Sequence, residues 1–234
     1  MTQVLERSAP PAGQELRAVL DLVSPVLRRS SSDLWRPEGL RERYAAYLVA
    51  MHGVLRASVP LMEFALARCR AAAPDDHVMR TLGDYFTQHI ESERGHDEWL
   101  LRDIRAVGPR PERDAAAMPS AEVARLVGVQ YYWIAHHHPT ALLGYIAALE
   151  YNAPAPELAR LLAERSGLPA AAFETLRLHA LLDAEHTAAV LDLLDALDLD
   201  PALRTGVRIS ALHTVLTLTT LFDDLPAPGG GEGA

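Results

Sequence analysis

The sequence predicts an all-α helical bundle. Alanine and leucine supply most of an apolar fraction of 49%, with little β-branched or aromatic enrichment, and that composition favours helix over strand. Long segments repeat apolar residues at helical spacing, while none alternates apolar and polar residues between turn signals as a half-buried strand does. Proline, glycine and short polar runs divide the chain at intervals suited to helices joined by short loops.

Taken in order, the first helix is expected from about Gln14 to Arg29, ending in Ser30, Ser31 and Ser32. The second runs from about Pro37 to Ala73, with Pro60 inside it to kink or split it. Pro74, Asp75 and Asp76 cap a third, from about His77 to Val107, closed by Gly108 and Pro109. A polar linker follows (109–119), then a helix capped by Ser120 that reaches about His136. Pro139 opens another, to about Tyr151, and the proline-rich run from Asn152 to Pro156 ends it. A short helix from Glu157 to Arg165 stops at Gly167. Long helices then span Pro169 to Leu197 and Pro201 to Phe222. The tail PAPGGGEGA (226–234) is expected to be disordered, which leaves 1–225 as one helical domain.

The 234 residues carry 22 basic and 31 acidic side chains, a formal net charge of −9. Without basic clusters there is no electrostatic footprint for nucleic acid or an anionic membrane. Every basic residue is arginine, so lysine-dependent chemistry such as a P-loop, a Schiff base or a lysine general base is excluded. Cys69 is the only cysteine, which excludes an internal disulfide and a cysteine-cluster metal site. Residues 1–14 lack the apolar core of a signal peptide, and no stretch is expected to reach the ~18 apolar residues of a membrane span. A cytoplasmic protein is the expectation.

One pattern occurs twice. His89, Glu93 and His96 sit in HIESERGH, and His179, Asp183 and His186 sit in HALLDAEH. Both read His-x3-carboxylate-x2-His. At 100° per residue the three positions fall within an arc of roughly 60°, so a helix projects two imidazoles and a carboxylate from one face. Two such faces meeting inside a bundle form a metal site. Asp183 lies among Leu181, Leu182, Ala180, Ala184 and Ala188, and an ionised carboxylate buried in such company needs a cation. Glu150 ends the apolar run ALLGYIAALE and, if buried, adds a carboxylate from a third helix.

Nitrogen and oxygen donors without sulfur suit iron or manganese better than structural zinc. Seven candidates exceed the about six ligands of a dinuclear bundle site, and His89 and Glu93 compete for the role outside the metal's direct reach. His52 and Glu63 offer an alternative, ferritin-like set that leaves His89 and His179 unexplained. The His136–His138 run reads as a helix end, Cys69 as structural, and Tyr131, Tyr132, Trp133 and Tyr145 as core with some lining a pocket.

The arrangement of His96 on an early helix, Glu150 on a central one and His179, Asp183 and His186 on a late one resembles the heme-oxygenase-like diiron oxidases and oxygenases. The strings GHDEWLLRDI (95–104), HPTALLGYIAALE (138–150) and LHALLDAEH (178–186) resemble their iron-containing redox enzyme branch. The resemblance covers about Tyr44 to Leu197. It implies a heme-oxygenase-like bundle of about seven to eight helices holding two irons in place of heme. His96, Glu150, His179, Asp183 and His186 would be iron ligands. The family's usual sixth ligand, a Glu seven residues before the early His, is His89 here; either His89 replaces it or Glu93 takes over.

The resemblance also implies O2 as cosubstrate and oxidation of a small molecule, such as an amino-acid-derived amine or acid, in specialised metabolism. N-oxygenation, oxidative cleavage, decarboxylation and nitrile formation are the outcomes it suggests. The branch that consumes its own lysine is disfavoured because the chain has none. An external electron donor and a homodimer enter as further expectations. The rival readings are a ferritin-like iron-binding protein without organic substrate and a heme-binding protein of the same fold.

Overall fold

The computed structural model describes residues 10–225; the tail 226–234, expected to be disordered, lies outside the described residues. Among the described residues the chain forms eleven α-helices and no strand: α1 (Ala12–Leu34), α2 (Leu40–Leu55), α3 (Ser58–Arg70), α4 (His77–Glu93), α5 (His96–Val107), α6 (Pro109–Ala116), α7 (Ala121–His136), α8 (Ala141–Tyr151), α9 (Leu158–Ser166), α10 (Glu174–Ala196) and α11 (Pro201–Asp223). A 3-10 turn, Ala170–Phe173, leads into α10.

Two expected helices are divided further, and the expected linker holds a helix of its own. The second breaks at Arg56 and Ala57, and Pro60 sits in the first turn of α3, where its missing N–H is an orphan in any case. The third breaks at Arg94 and Gly95, because Gly95 adopts a φ of 87°, a left-handed conformation that glycine takes without a Cβ clash. The linker at 109–119 contains α6, whose Pro109 occupies the first helical position. The caps read from sequence are present. Asp76 Oδ1 accepts the Met79 N–H at 2.9 Å, and Ser120 Oγ accepts that of Val123 at 3.3 Å.

Helix α8 is the axis of the bundle. Every residue from Ala141 to Ala148 is buried, so it is enclosed on all sides rather than along one stripe. It lies tightly on α11: a Cβ on Gly144 would stand 2.1 Å from the Val207 carbonyl oxygen. The main core draws Leu16 and Leu20 from α1, Leu82 and Phe86 from α4, Leu143 from α8, Val190 and Leu194 from α10 and Val215 from α11. A second apolar cluster joins Tyr44 and Leu48 of α2 to Leu100 and Ile104 of α5, Leu162 of α9 and Phe173.

The stretch Leu40–Arg70 is, among the described residues, long and apolar enough to pass for a membrane span, contrary to the expectation that none is. It breaks at Arg56 and Ala57, carries the exposed Arg56 and Glu63, and turns Leu48, Leu61 and Met62 into the interior. Tyr131 and Tyr132, expected in the core, are instead exposed on α7, whereas Tyr145 is buried.

Candidate metal centre

Four helices converge on the site. Helix α4 ends with His89 and Glu93, α5 opens with His96, α8 closes with Glu150, and α10 carries His179, Asp183 and His186. The first sequence pattern therefore straddles a helix break, whereas the second stays on one continuous helix with no interior glycine or proline. The turn at Gly95 still delivers His96 to Glu93, with Nδ1 3.1 Å from Glu93 Oε2.

Six of the seven candidates fall into two compact groups that mix the helices. One is His89, Glu150 and His186, and the other is Glu93, His96 and His179. In the first, His89 Nε2 lies 3.1 Å from Glu150 Oε1, and His186 Nδ1 stands 3.6 Å from the same oxygen. In the second, His96 Nδ1 lies 3.1 Å from Glu93 Oε2 and 3.2 Å from His179 Nε2. Glu93 reaches both, because its Oε1 is 3.6 Å from His186 Nδ1. His89 and Glu93 consequently do not exclude one another, since each belongs to a different group. Asp183 joins neither group and lines the adjoining pocket.

Burial sets the electrostatics. Glu150, which the sequence left between a solvent-exposed helix end and a buried position, has a side chain only 10% exposed. Burial, with help from the Glu93 charge, pushes its carboxyl up to about 9. Asp183 is pushed up to about 8 by burial and by Glu150 and Glu93. Burial also lowers His89 and His186 and takes His179 down to about 4, leaving neutral imidazoles. Of the site's three carboxyls only Glu93 is held low: burial raises it, but the hydrogen bond with His96 and the neighbouring imidazoles outweigh that. Glu150 also sits in the last turn of α8, where the helix dipole further disfavours an anion.

These residues fit bound cations. His186 Nδ1 and Glu150 Oε2 are buried without a hydrogen-bond partner, a costly state that a metal ion would relieve. Among the described residues only imidazoles reach Glu93 and Glu150 as ion-pair partners, and no arginine does. Aromatic rings pack the periphery. Tyr85 stacks on His89 with centroids 5.2 Å apart, and Trp99 lies over His96 at 4.1 Å.

A profile of the family described as iron-containing redox enzymes matches residues 45–218, most of the chain. The chain belongs to the iron-containing redox enzyme family. Two solved structures share the fold of this chain, one of them described as heme oxygenase-like. A domain of unknown function with a heme oxygenase-like fold from Shewanella denitrificans OS217 aligns with a TM-score of 0.75 at 16% identity, covering 93% of each chain. A TenA homolog from Pseudomonas syringae pv. tomato str. DC3000 aligns with a TM-score of 0.68 at 15% identity, covering 94% of this chain and 98% of its own. No curated protein matches this member of the family in sequence.

A pocket of about 580 Å³ opens beside the site. His89, Glu93, Glu150, His179 and Asp183 form one wall; Leu48, Met51, Leu142, Ile146 and Leu218 supply apolar surface, and Trp35, Tyr47 and Phe222 add aromatic surface. Arg28, Ser31, Ser32 and Asn152 are its polar fringe. Several neighbours of the site escaped the sequence reading although their spacing marks them. Tyr85 precedes His89 by one turn, and Trp99 and Asp103 follow His96 by one and two turns. The ferritin-like alternative fails for Glu63, which is exposed on α3 and faces a shallow groove with Glu91 and Arg94. His136 and His137 are exposed at the end of α7, and His138 Nδ1 accepts the Thr140 N–H at 3.2 Å beside the start of α8. Cys69 is buried, which pushes its thiol up to about 12.

Proposed function

We propose that this chain is a non-heme diiron oxidase or oxygenase that uses O2 to oxidise a small, amino-acid-derived molecule. The observation carrying this reading is Glu93, whose two oxygens face two separate three-residue groups of nitrogen and oxygen donors. Two compact donor sets suit two ions, whereas a porphyrin needs one or two axial imidazoles. Membership of an iron-containing redox family supports iron as the metal.

His89, Glu150 and His186 would hold one iron and Glu93, His96 and His179 the other, with Asp183 facing the pocket between the two histidines of its own helix. Bound ferrous ions would supply the electrons for reducing O2. The chain contributes the rest. Neutral imidazoles leave their nitrogen lone pairs free to bind, and Glu150 and Asp183 surrender protons when a cation takes their place. The apolar walls exclude water from the reacting centre and receive the substrate's carbon skeleton. The cell setting we propose is cytoplasmic specialised metabolism, with an external electron donor restoring the ferrous state.

The test is anaerobic loading of metal-free protein with ferrous ion, followed by mixing with O2. Two irons per chain and a transient visible absorption are expected; in His179→Ala uptake should fall to one iron and the absorption should be lost. Absence of iron uptake, or uptake indifferent to His179→Ala, overturns the reading. A storage protein would take up iron and form no organic product from any amine or acid supplied.

A further inference from the structure

The start of α10 is held from outside its own segment. Its N-cap position, Phe173, offers no side-chain cap, although the first N–H groups of a helix need acceptors. One comes from α5, where Asp103 Oδ2 accepts the Thr175 N–H at 2.8 Å. Asp103 is 1% exposed, and its other oxygen, Oδ1, has no partner. Tyr44 of α2 secures the preceding turn, donating to the Ala172 carbonyl at 2.6 Å and stacking on Phe173 at 4.4 Å.

The spacing ties this cap to the metal centre. Asp103 follows His96 by seven residues, about two turns along the same face of α5, and Thr175 precedes His179 by four, about one turn along α10. The pairs Asp103–Thr175 and His96–His179 are thus two rungs between the same antiparallel helices. Further along α10, Thr187, Val190, Leu191 and Leu194 are buried, so His186 is placed by packing that Asp103 does not touch.

We infer that Asp103 is a positioning residue for the metal centre, whose carboxylate caps α10 from α5 and thereby sets His179 against His96 and Glu93. The inference rests on the reading that the two groups bind ions. It predicts a selective effect: losing the cap loosens the group containing His179 and spares the group containing His186. Groups that orient ligands from behind typically change metal affinity by about tenfold to a hundredfold.

The experiment is a cobalt(II) titration of the full, metal-free chain, followed by calorimetry and visible absorption. The wild type is expected to bind two ions in distinguishable steps. Asp103→Ala should weaken one step about tenfold to a hundredfold, the step that His179→Ala abolishes, and leave the step that His89→Ala abolishes unchanged. Asp103→Asn should restore it, because the amide oxygen still accepts from Thr175. If Asp103→Ala does not fold, Asp103→Ser, whose hydroxyl is too short to reach Thr175, takes its place. Equal weakening of both steps, failure of Asn to rescue, or no change in either step overturns the inference. A wild type that binds no cobalt overturns the metal reading instead.

Discussion

Glu93 stands 3.6 Å from His186 across the interior, joining the last turn of α4 to the middle of α10, while its second oxygen holds His96 at 3.1 Å. A carboxylate so placed can bridge two ions. Glu93→Gln keeps the volume but loses the charge and one acceptor oxygen. Binding should fall from two ions per chain to one by equilibrium dialysis, whereas Glu91→Gln, at an exposed position of the same helix, should leave both. Two ions retained in Glu93→Gln would remove the bridge.

Metal-free protein should lose stability as pH rises from 6.5 to 9. Folding raises Asp183 to about 8 and Glu150 to about 9, so each takes up a proton on folding, and that stabilisation drains away as pH climbs through the folded value. His179 works in the opposite sense. Its folded value of about 4 lies below the ordinary 6.5, so its contribution is lost as pH falls between those two. Above 6.5 only the carboxyl effect remains, at up to about 1.4 kcal/mol per pH unit for each linked proton. Bound ions keep the carboxylates ionised, so the melting-temperature gap between loaded and metal-free protein should widen from pH 6.5 to 9. Parallel curves would contradict it.

The close crossing of α8 and α11 predicts a paired outcome for two glycines. A Cβ on Gly144 would meet the Val207 carbonyl oxygen at 2.1 Å and the Ala211 nitrogen at 2.9 Å, both backbone atoms that cannot swing away, while one on Gly128 meets nothing within 4 Å. Gly144→Ala should cost about 1–3 kcal/mol or more in urea unfolding. Gly128→Ala, in the middle of α7, should gain about 0.5–1 kcal/mol from helix propensity.

His89→Glu tests the departure from the resembled family's ligand set. A carboxylate there would face Glu150, now 3.1 Å from the imidazole. Two ions should still bind, but the metal-free variant should lose stability with rising pH more steeply than the wild type, because a second buried carboxyl beside Glu150 must also hold a proton or oppose its charge. Loss of metal binding would show that the imidazole itself is required.

Much of this could be read from the chain. The long helical segments, their caps at Asp76 and Ser120, and all seven candidate residues follow from periodicity and spacing, which are local properties; α6, in the expected linker, does not. The pairing of His89 with Glu150 and of His96 with His179 could not be read, because each joins residues 61 or 83 positions apart whose meeting depends on how helices pack. The break at Gly95 also escaped, since a helix-compatible run containing one glycine gives no notice that this glycine will turn left-handed. Asp103 escaped for a related reason: a cap supplied by another helix leaves no mark at the helix it caps.

By itself, then, the sequence determined an all-helical chain without lysine chemistry, bearing a repeated His-x3-carboxylate-x2-His pattern. Donor type and helical spacing are written into consecutive residues. Only the tertiary structure decided that the repeat does not divide into one donor group per helix, that His89 and Glu93 fall in different groups, and that Glu93 faces both groups. Those outcomes depend on where four helices cross around α8, and burial there is what makes cations the natural partners of Glu150 and Asp183.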